Sequence, residues 1–240
     1  MTSSNCVRKT GLLVIAMLLP AATSWAQKPP IAEKLAKAYG LDSFGQIEAI
    51  RYTFNIDIPG LKLARTWTWE PKADRVTYEG KDKAGNPVKV TYVRSQLSTQ
   101  PDNVKKEIDP GFTNDQYWLI FPLHAYWDGA NIEDLGMHKL PLGKGSAEKV
   151  EMNYPSEGGY TPADAWTLYV GNDGRVRELE IHRVNAPPSV YLTTFANYKK
   201  AGPLLIALDR PGSGDGKPLS IHFTNVAVKL AGSNTWLDAQ

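Results

Sequence analysis

The sequence predicts an α+β protein, mainly antiparallel β, built as a half-open curled β-sheet (an incomplete barrel) with helices covering its concave face. Three observations predict it. From Gln46 onward apolar and polar residues alternate with period two, as Ile50, Tyr52, Phe54, Ile56 and Ile58 do against Arg51, Thr53, Asn55 and Asp57, the pattern of a half-buried antiparallel strand. About ten such segments follow one another, nearly all with one polar face. The helical stretches are too few to cover both faces of that sheet, so it must curl to bury its apolar side.

In chain order, the first 26 residues have the parts of a secretory signal: Arg8 and Lys9, the apolar run Gly11 to Pro20, and small residues at Ser24 and Ala26. Cleavage is expected before Gln27, leaving residues 27–240 as one half-barrel domain, periplasmic or secreted. The apolar core is about half the ~20 residues a membrane span needs, so the mature chain is not expected to span a membrane. Cys6, the sole cysteine, leaves with the leader, which excludes disulfides and thiolate chemistry. Removing Arg8 and Lys9 balances 27 basic against 25 acidic residues. With no basic excess on any stretch, no nucleic-acid partner is expected.

Ile31, Leu35, Ala38 and Tyr39 fall on one face of a short helix that Gly40 should end. Four strands then form a meander: the alternating run to Ile58, the run Leu63 to Trp69 after Pro59-Gly60, Arg75 to Glu79, and Val88 to Val93 with Tyr92 among its apolar positions. A helix is expected from Asp102 to Ile108, ended by Asp109-Pro110-Gly111. A second helical turn begins at Asn114 as N-cap, and Pro122 should break it. Strands resume at Lys149 to Tyr154, Asp164 to Val170, Arg175 to Arg183, Ser189 to Tyr198, Leu204 to Asp209 and Leu219 to Val228. Gly171-Asn-Asp-Gly174 makes the clearest turn, and Pro211 to Pro218 reads as a Gly-rich loop.

This order of elements resembles the periplasmic lipoprotein-carrier family of LolA-, LolB- and LppX-like half-open barrels, and other secreted bacterial proteins of that build. The local likeness lies in Phe195-Ala-Asn-Tyr198, the strand Leu204 to Asp209, and Ile221-His-Phe-Thr-Asn-Val226. The chain departs from the family by Pro203 directly after Gly202 and by its long aromatic insertion, and no family residue role carries over. The resemblance implies a non-enzymatic carrier of a lipid or acyl chain.

The candidate ligand-binding residues are the aromatics expected to converge on the concave side: Trp67, Trp69, Tyr92, Trp118, Phe121, Tyr126, Trp127 and Trp166. A concave apolar pocket is the default ligand site, although a curled sheet closed by a helix needs such residues for its core as well. No cofactor is implied. His124, His138, His182 and His222 read as isolated, so no metal site is expected. Glu178 and Glu180 read as a solvated strand face. Two alternatives stay open: a secreted hydrolase using a loop around Glu133, Asp134 and His138, and an envelope module whose strand edges pair with a partner protein.

Overall fold

The computed structural model describes residues 30–82, 84–157, 161–184 and 189–240; the expected signal lies outside them. Helix α1 (Pro30–Ala38) ends as its sequence requires, because Gly40 sits at φ 101° and a Cβ there would stand 2.6 Å from the Pro203 carbonyl oxygen. The strands that follow are β1 (Ile47–Ile58), β2 (Leu61–Glu70), β3 (Arg75–Lys81) and β4 (Pro87–Val93). A 3-10 turn and a π-helical turn (Val104–Ile108) lead into α2 (Asp109–Trp127). Next come β5 (Asn131–Lys139), β6 (Ser146–Asn153), β7 (Ala165–Val170), β8 (Val176–Arg183), β9 (Ser189–Thr194), β10 (Ala196–Ala201), β11 (Leu204–Gly214), β12 (Lys217–Leu230) and β13 (Trp236–Asp238).

All thirteen described strands belong to one antiparallel sheet in the order β4-β3-β2-β1-β12-β11-β9-β8-β7-β6-β5, with β10 on β11 and β13 on β12. The ends β4 and β5 are not paired, so the sheet is open. Pairs such as Ile56↔Ile221, Trp67↔Tyr52, Leu179↔Thr193 and Trp166↔Ile181 put the apolar members of every main strand on one face. Phe54, Leu61 and Leu63, from the β1–β2 hairpin, line the same cavity as Trp166, Ile181 and Tyr191, from β7 to β9. Strands that far apart in the order can share a cavity only if the sheet curls. The predicted half-open architecture is therefore the one observed, and among the described residues no helix is long and apolar enough to cross a membrane.

Several boundaries differ from the sequence expectation. Asp109-Pro110-Gly111 does not end a helix: Pro110 sits in the first turn of α2, where a missing N–H costs nothing, and the π-helical turn feeds straight into it. Pro122 bends α2 without breaking it. The departure falls at Ile120 (φ −122°, ψ 27°), in the turn where the proline removes a backbone donor. Ser189 to Tyr198 is two strands that part at Phe195, and the expected Gly-rich loop is mostly strand. Gly212 pairs with Thr193 so closely that a Cβ would lie 2.0 Å from the Leu192 carbonyl oxygen, which is why a glycine stands inside β11. The turn is only Asp215-Gly216, both at positive φ, a two-residue hairpin.

The residues read as a loop around Glu133, Asp134 and His138 form the edge strand β5. Asp134 accepts from the Gly136 amide at 2.9 Å, and His138 Nε2 lies 3.2 Å from the Leu135 carbonyl. Glu133 and Asp134 are neighbours on a strand and so point to opposite faces, and the segment is strand where a loop was expected. Glu178 is not solvated either. It is buried and accepts from the Leu142 and Gly143 amides, at 2.8 and 2.6 Å, pinning the β5–β6 connection.

Candidate functional site

Helix α2 runs from one open edge of the sheet to the other, since it joins β4 to β5, and it lies along the curled inner face. Its side chains fill most of that trough. Phe112 packs against Trp67 and Trp69, with ring centroids 5.5 and 5.8 Å apart, and Phe121 stacks on Trp166 at 4.1 Å. Within this packing two cavities remain. One of about 570 Å³ lies between β2–β4 and the π-helical turn, lined among others by Leu63, Arg65, Trp67, Tyr78, Val88 and Ile108. A smaller one of about 200 Å³ lies between β1–β2 and β7–β9, lined by Phe54, Leu63, Arg65, Trp118, Thr161 and Trp166 with their neighbours. Leu63 and Arg65 line both. The first volume falls in the range of about 300–1,000 Å³ typical of ligand pockets, and the second below it.

The eight aromatic candidates divide accordingly. Trp67 lines the larger cavity, and Trp118 and Trp166 the smaller. The other five are held by the protein itself. Trp69 is half-buried against Phe44 and Phe112, and Trp127 meets Phe44 edge-on at 4.8 Å. Tyr92 donates to Asp109 at 2.9 Å, and burial followed by the Asp109 charge raises its hydroxyl pKa. Phe121 is sealed behind Trp166, and Tyr126 sits half-buried at the end of α2.

At the partition between the cavities a buried carboxylate gathers four donors. Asp115, fully buried on α2, accepts from Arg65 Nε at 2.7 Å, from Arg65 Nη2, from Trp67 Nε1 at 2.7 Å and from Asn114 Nδ2 at 3.0 Å. Burial raises the Asp115 pKa against the lowering effect of Arg65, Asn114 and Trp67. Arg65 Nη1 makes no hydrogen bond among the described residues, and the side chain is 22% exposed. Arg183, the other cation of the smaller cavity, is also paired, with Asp164 at 3.5 Å. Thr161 and Trp166 line that cavity, while Trp166 Nε1 and Thr161 Oγ1 themselves are shielded from it and have no partner among the described residues.

Sequence reasoning did not single out Arg65 or Asp115. The signals were present: one arginine on the strand face that also carries Leu63, Trp67 and Trp69, and one acid inside the most aromatic stretch of the chain. Two of the histidines read as isolated have acidic neighbours at spacings visible in the sequence, Asp128 four residues after His124 and Glu180 two before His182. His124 Nδ1 lies 3.1 Å from Asp128 and its Nε2 2.9 Å from Gln116, while His182 meets Glu180 at 2.6 Å. No group of three metal-ligating side chains occurs among the described residues.

No protein-family model matches the sequence, and no curated protein matches it. Among solved structures the chain is similar to a DUF1329 family protein from Desulfovibrio piger, at 10% identity over 85% of this chain and 94% of that one, with a TM-score of 0.47. It is also similar to the Mycobacterium tuberculosis lipoprotein LppX, at 11% identity over 88% of this chain and 100% of that one, with a TM-score of 0.31.

Proposed function

We propose that this is a non-enzymatic periplasmic or secreted protein that binds an apolar ligand, a lipid or an acyl chain, on the inner side of its curled sheet. The observation that carries the reading is the cleft of about 570 Å³ beside α2, whose apolar lining comes from Leu63, Trp67, Val88 and Ile108 alongside the polar Lys81, Asp82, Asn103 and Glu107. A concave space of this size with a mainly apolar lining is where a small ligand is expected to bind. Trp67, Trp118 and Trp166 are the ligand contacts in this reading. Trp69, Tyr92, Phe121, Tyr126 and Trp127 hold the sheet and helix that frame the space. The leader at 1–26 supports the compartment.

The driving force is burial of chain methylenes at about 0.8 kcal/mol each. Mass spectrometry of an organic extract of the purified protein should find bound lipid. Acyl ligands should also change the tryptophan fluorescence, since three indoles border the two cavities. Leu63→Trp, which fills space at the wall shared by both cavities, should abolish binding while leaving the unfolding midpoint close to that of the parent. An empty extract and unchanged fluorescence across fatty acids, esters and phospholipids would overturn the reading.

A further inference from the structure

The open sheet ends in β5, and every residue of that strand from Glu133 to Lys139 is exposed. Successive side chains of a strand point to opposite faces, so both faces of this stretch meet solvent. Its backbone is paired on one side only, to β6. Three of the seven large apolar side chains exposed among the described residues lie on it or just beyond it: Leu135 at 36%, Met137 at 62% and Leu142 at 46%. Such a concentration on an unpaired edge marks an interaction surface.

The charge pattern says what fits there. Charge on an edge strand usually keeps copies apart, because an identical strand laid alongside meets its own sign. In β5 the sign reverses along the strand: Glu133 and Asp134 precede its centre, and His138 and Lys139 follow it. Antiparallel alignment of two copies sets the acidic half of each beside the basic half of the other, whereas parallel alignment sets like against like. Leu135 and Met137 of both copies then meet at the centre. There Gly136, at φ 73°, stands in a bulge between Asp134, opposite Val150, and Met137, opposite Glu148. The bulge is capped within its own strand, where the Gly136 amide donates to Asp134 at 2.9 Å, and the glycine adds no side chain at the axis. The other edge lacks this complementarity. Strand β4 begins at Pro87, which has no N–H to offer, and its one charged residue, Lys89, already pairs with Glu79 at 2.7 Å.

We propose that β5 pairs antiparallel with β5 of a second copy of this chain, about a two-fold axis near Gly136, so that two sheets join into one. The contact uses the same patch on both copies and closes on itself, whereas β5 against β4 would propagate into a fibre. No residue of β5 lines either cavity, so the proposal stands apart from the ligand reading. One nine-residue strand from each copy is a small surface, and the dissociation constant is expected on the order of micromolar.

Sedimentation of the mature protein over a wide range of concentrations around that value should show monomer passing to dimer. Glu133→Lys with Asp134→Lys makes the strand wholly basic, and His138→Glu with Lys139→Glu makes it wholly acidic. Each double variant alone should self-associate about tenfold or more weakly than the parent, and an equimolar mixture of the two should form a heterodimer as tightly as the parent forms its homodimer. Met137→Asp, which places two acids at the centre, should weaken the dimer by about tenfold as well. If a double variant does not fold, Met137→Asp carries the test, and association unchanged in it overturns the proposal. A parent that stays monomeric throughout, double variants that dimerise as the parent does, or a mixture that stays monomeric overturns it equally.

Discussion

Two arginines of the inner face, Arg65 partly buried and Arg210 wholly so, show how differently the same side chain can be held. Arg65 faces a carboxylate. Arg210 has none: it is fully buried, its cation lies 3.9 Å from the centre of the Phe195 ring and 5.2 Å from that of Phe223, and its Nε and Nη2 have no partner among the described residues. Burial lowers its pKa to about 10, which corresponds to roughly 3 kcal/mol of cost for carrying the charge. A desolvated cation–π contact returns about 2 kcal/mol, so the two terms nearly cancel. Arg210→Met should therefore change stability by no more than about 1 kcal/mol, whereas Phe195→Leu should cost about 2–4 kcal/mol. In the Arg210→Met background the Phe195→Leu cost should fall by about 2 kcal/mol, a coupling that a double-mutant cycle in urea would read. For the other arginine, Asp115→Leu alone should cost about 3–5 kcal/mol by stranding Arg65, and Arg65→Met with Asp115→Leu far less. Neither pairing was legible in the sequence. Alternation assigned Arg65 to the apolar face of β2, but nothing local identifies a partner on α2 fifty residues later.

At the level of single elements, most strands follow directly from period-two alternation, and the hairpins from Pro59-Gly60 and Gly171 to Gly174. The exceptions have physical causes. In β5 most residues are exposed, so an edge strand leaves no apolar alternation to read. Asp215-Gly216 was hidden because Pro211 and Gly212 looked like loop residues, although Pro211 lies in a strand that pairs on past it. Helix α2 was read as two pieces because proline and glycine were counted without the side chains that bridge the bend. Gln116 Oε1 bonds His124 Nε2, His124 Nδ1 bonds Asp128, Tyr117 also bonds Asp128, and the Tyr117 ring stacks on His124 at 3.7 Å. This polar staple ties the turn before Ile120 to the turn after Pro122. The bend is then set by the staple as much as by the missing donor. Pro122→Ala should leave the bend in place and shift stability by less than about 1 kcal/mol, while His124→Leu should cost about 1–3 kcal/mol by leaving the buried Gln116 amide unmet. A reversed order of the two costs in denaturant melts would show that the proline alone holds the helix.

On the scale of the whole molecule, the sheet is two meanders joined at one seam. Residues 47–93 form β1 to β4, residues 131–214 form β5 to β11, and what unites them is β12, which pairs with β1 from Ile47↔Leu230 to Asp57↔Ser220 and with β11 from Asp209↔His222 to Gly214↔Lys217. The seam was the part least accessible to sequence reading, because long-range pairing leaves no local mark on either strand. It also makes the inner trough a late product of folding. The β1 wall of the smaller cavity, Phe54 and Ile56, reaches the Tyr191 and Ile181 wall only through Leu219 and Ile221 of β12. A chain ending at Gly216 should therefore keep hairpins but lose the cooperative transition and all ligand binding, since neither meander alone can cover α2. A chain ending at Gly232 loses β13 and the residues after it, which pair with the outer end of β12 and with Lys200 but line neither cavity. It should melt below the full chain yet still in one transition, and bind as before. Refolding of the full chain should be slow for its size, because loop closure across some 170 residues precedes the contacts that stabilise it. If instead the chain ending at Gly216 unfolded in one sharp transition, the meanders would be autonomous, and a ligand site depending on both would need another way to be held in register.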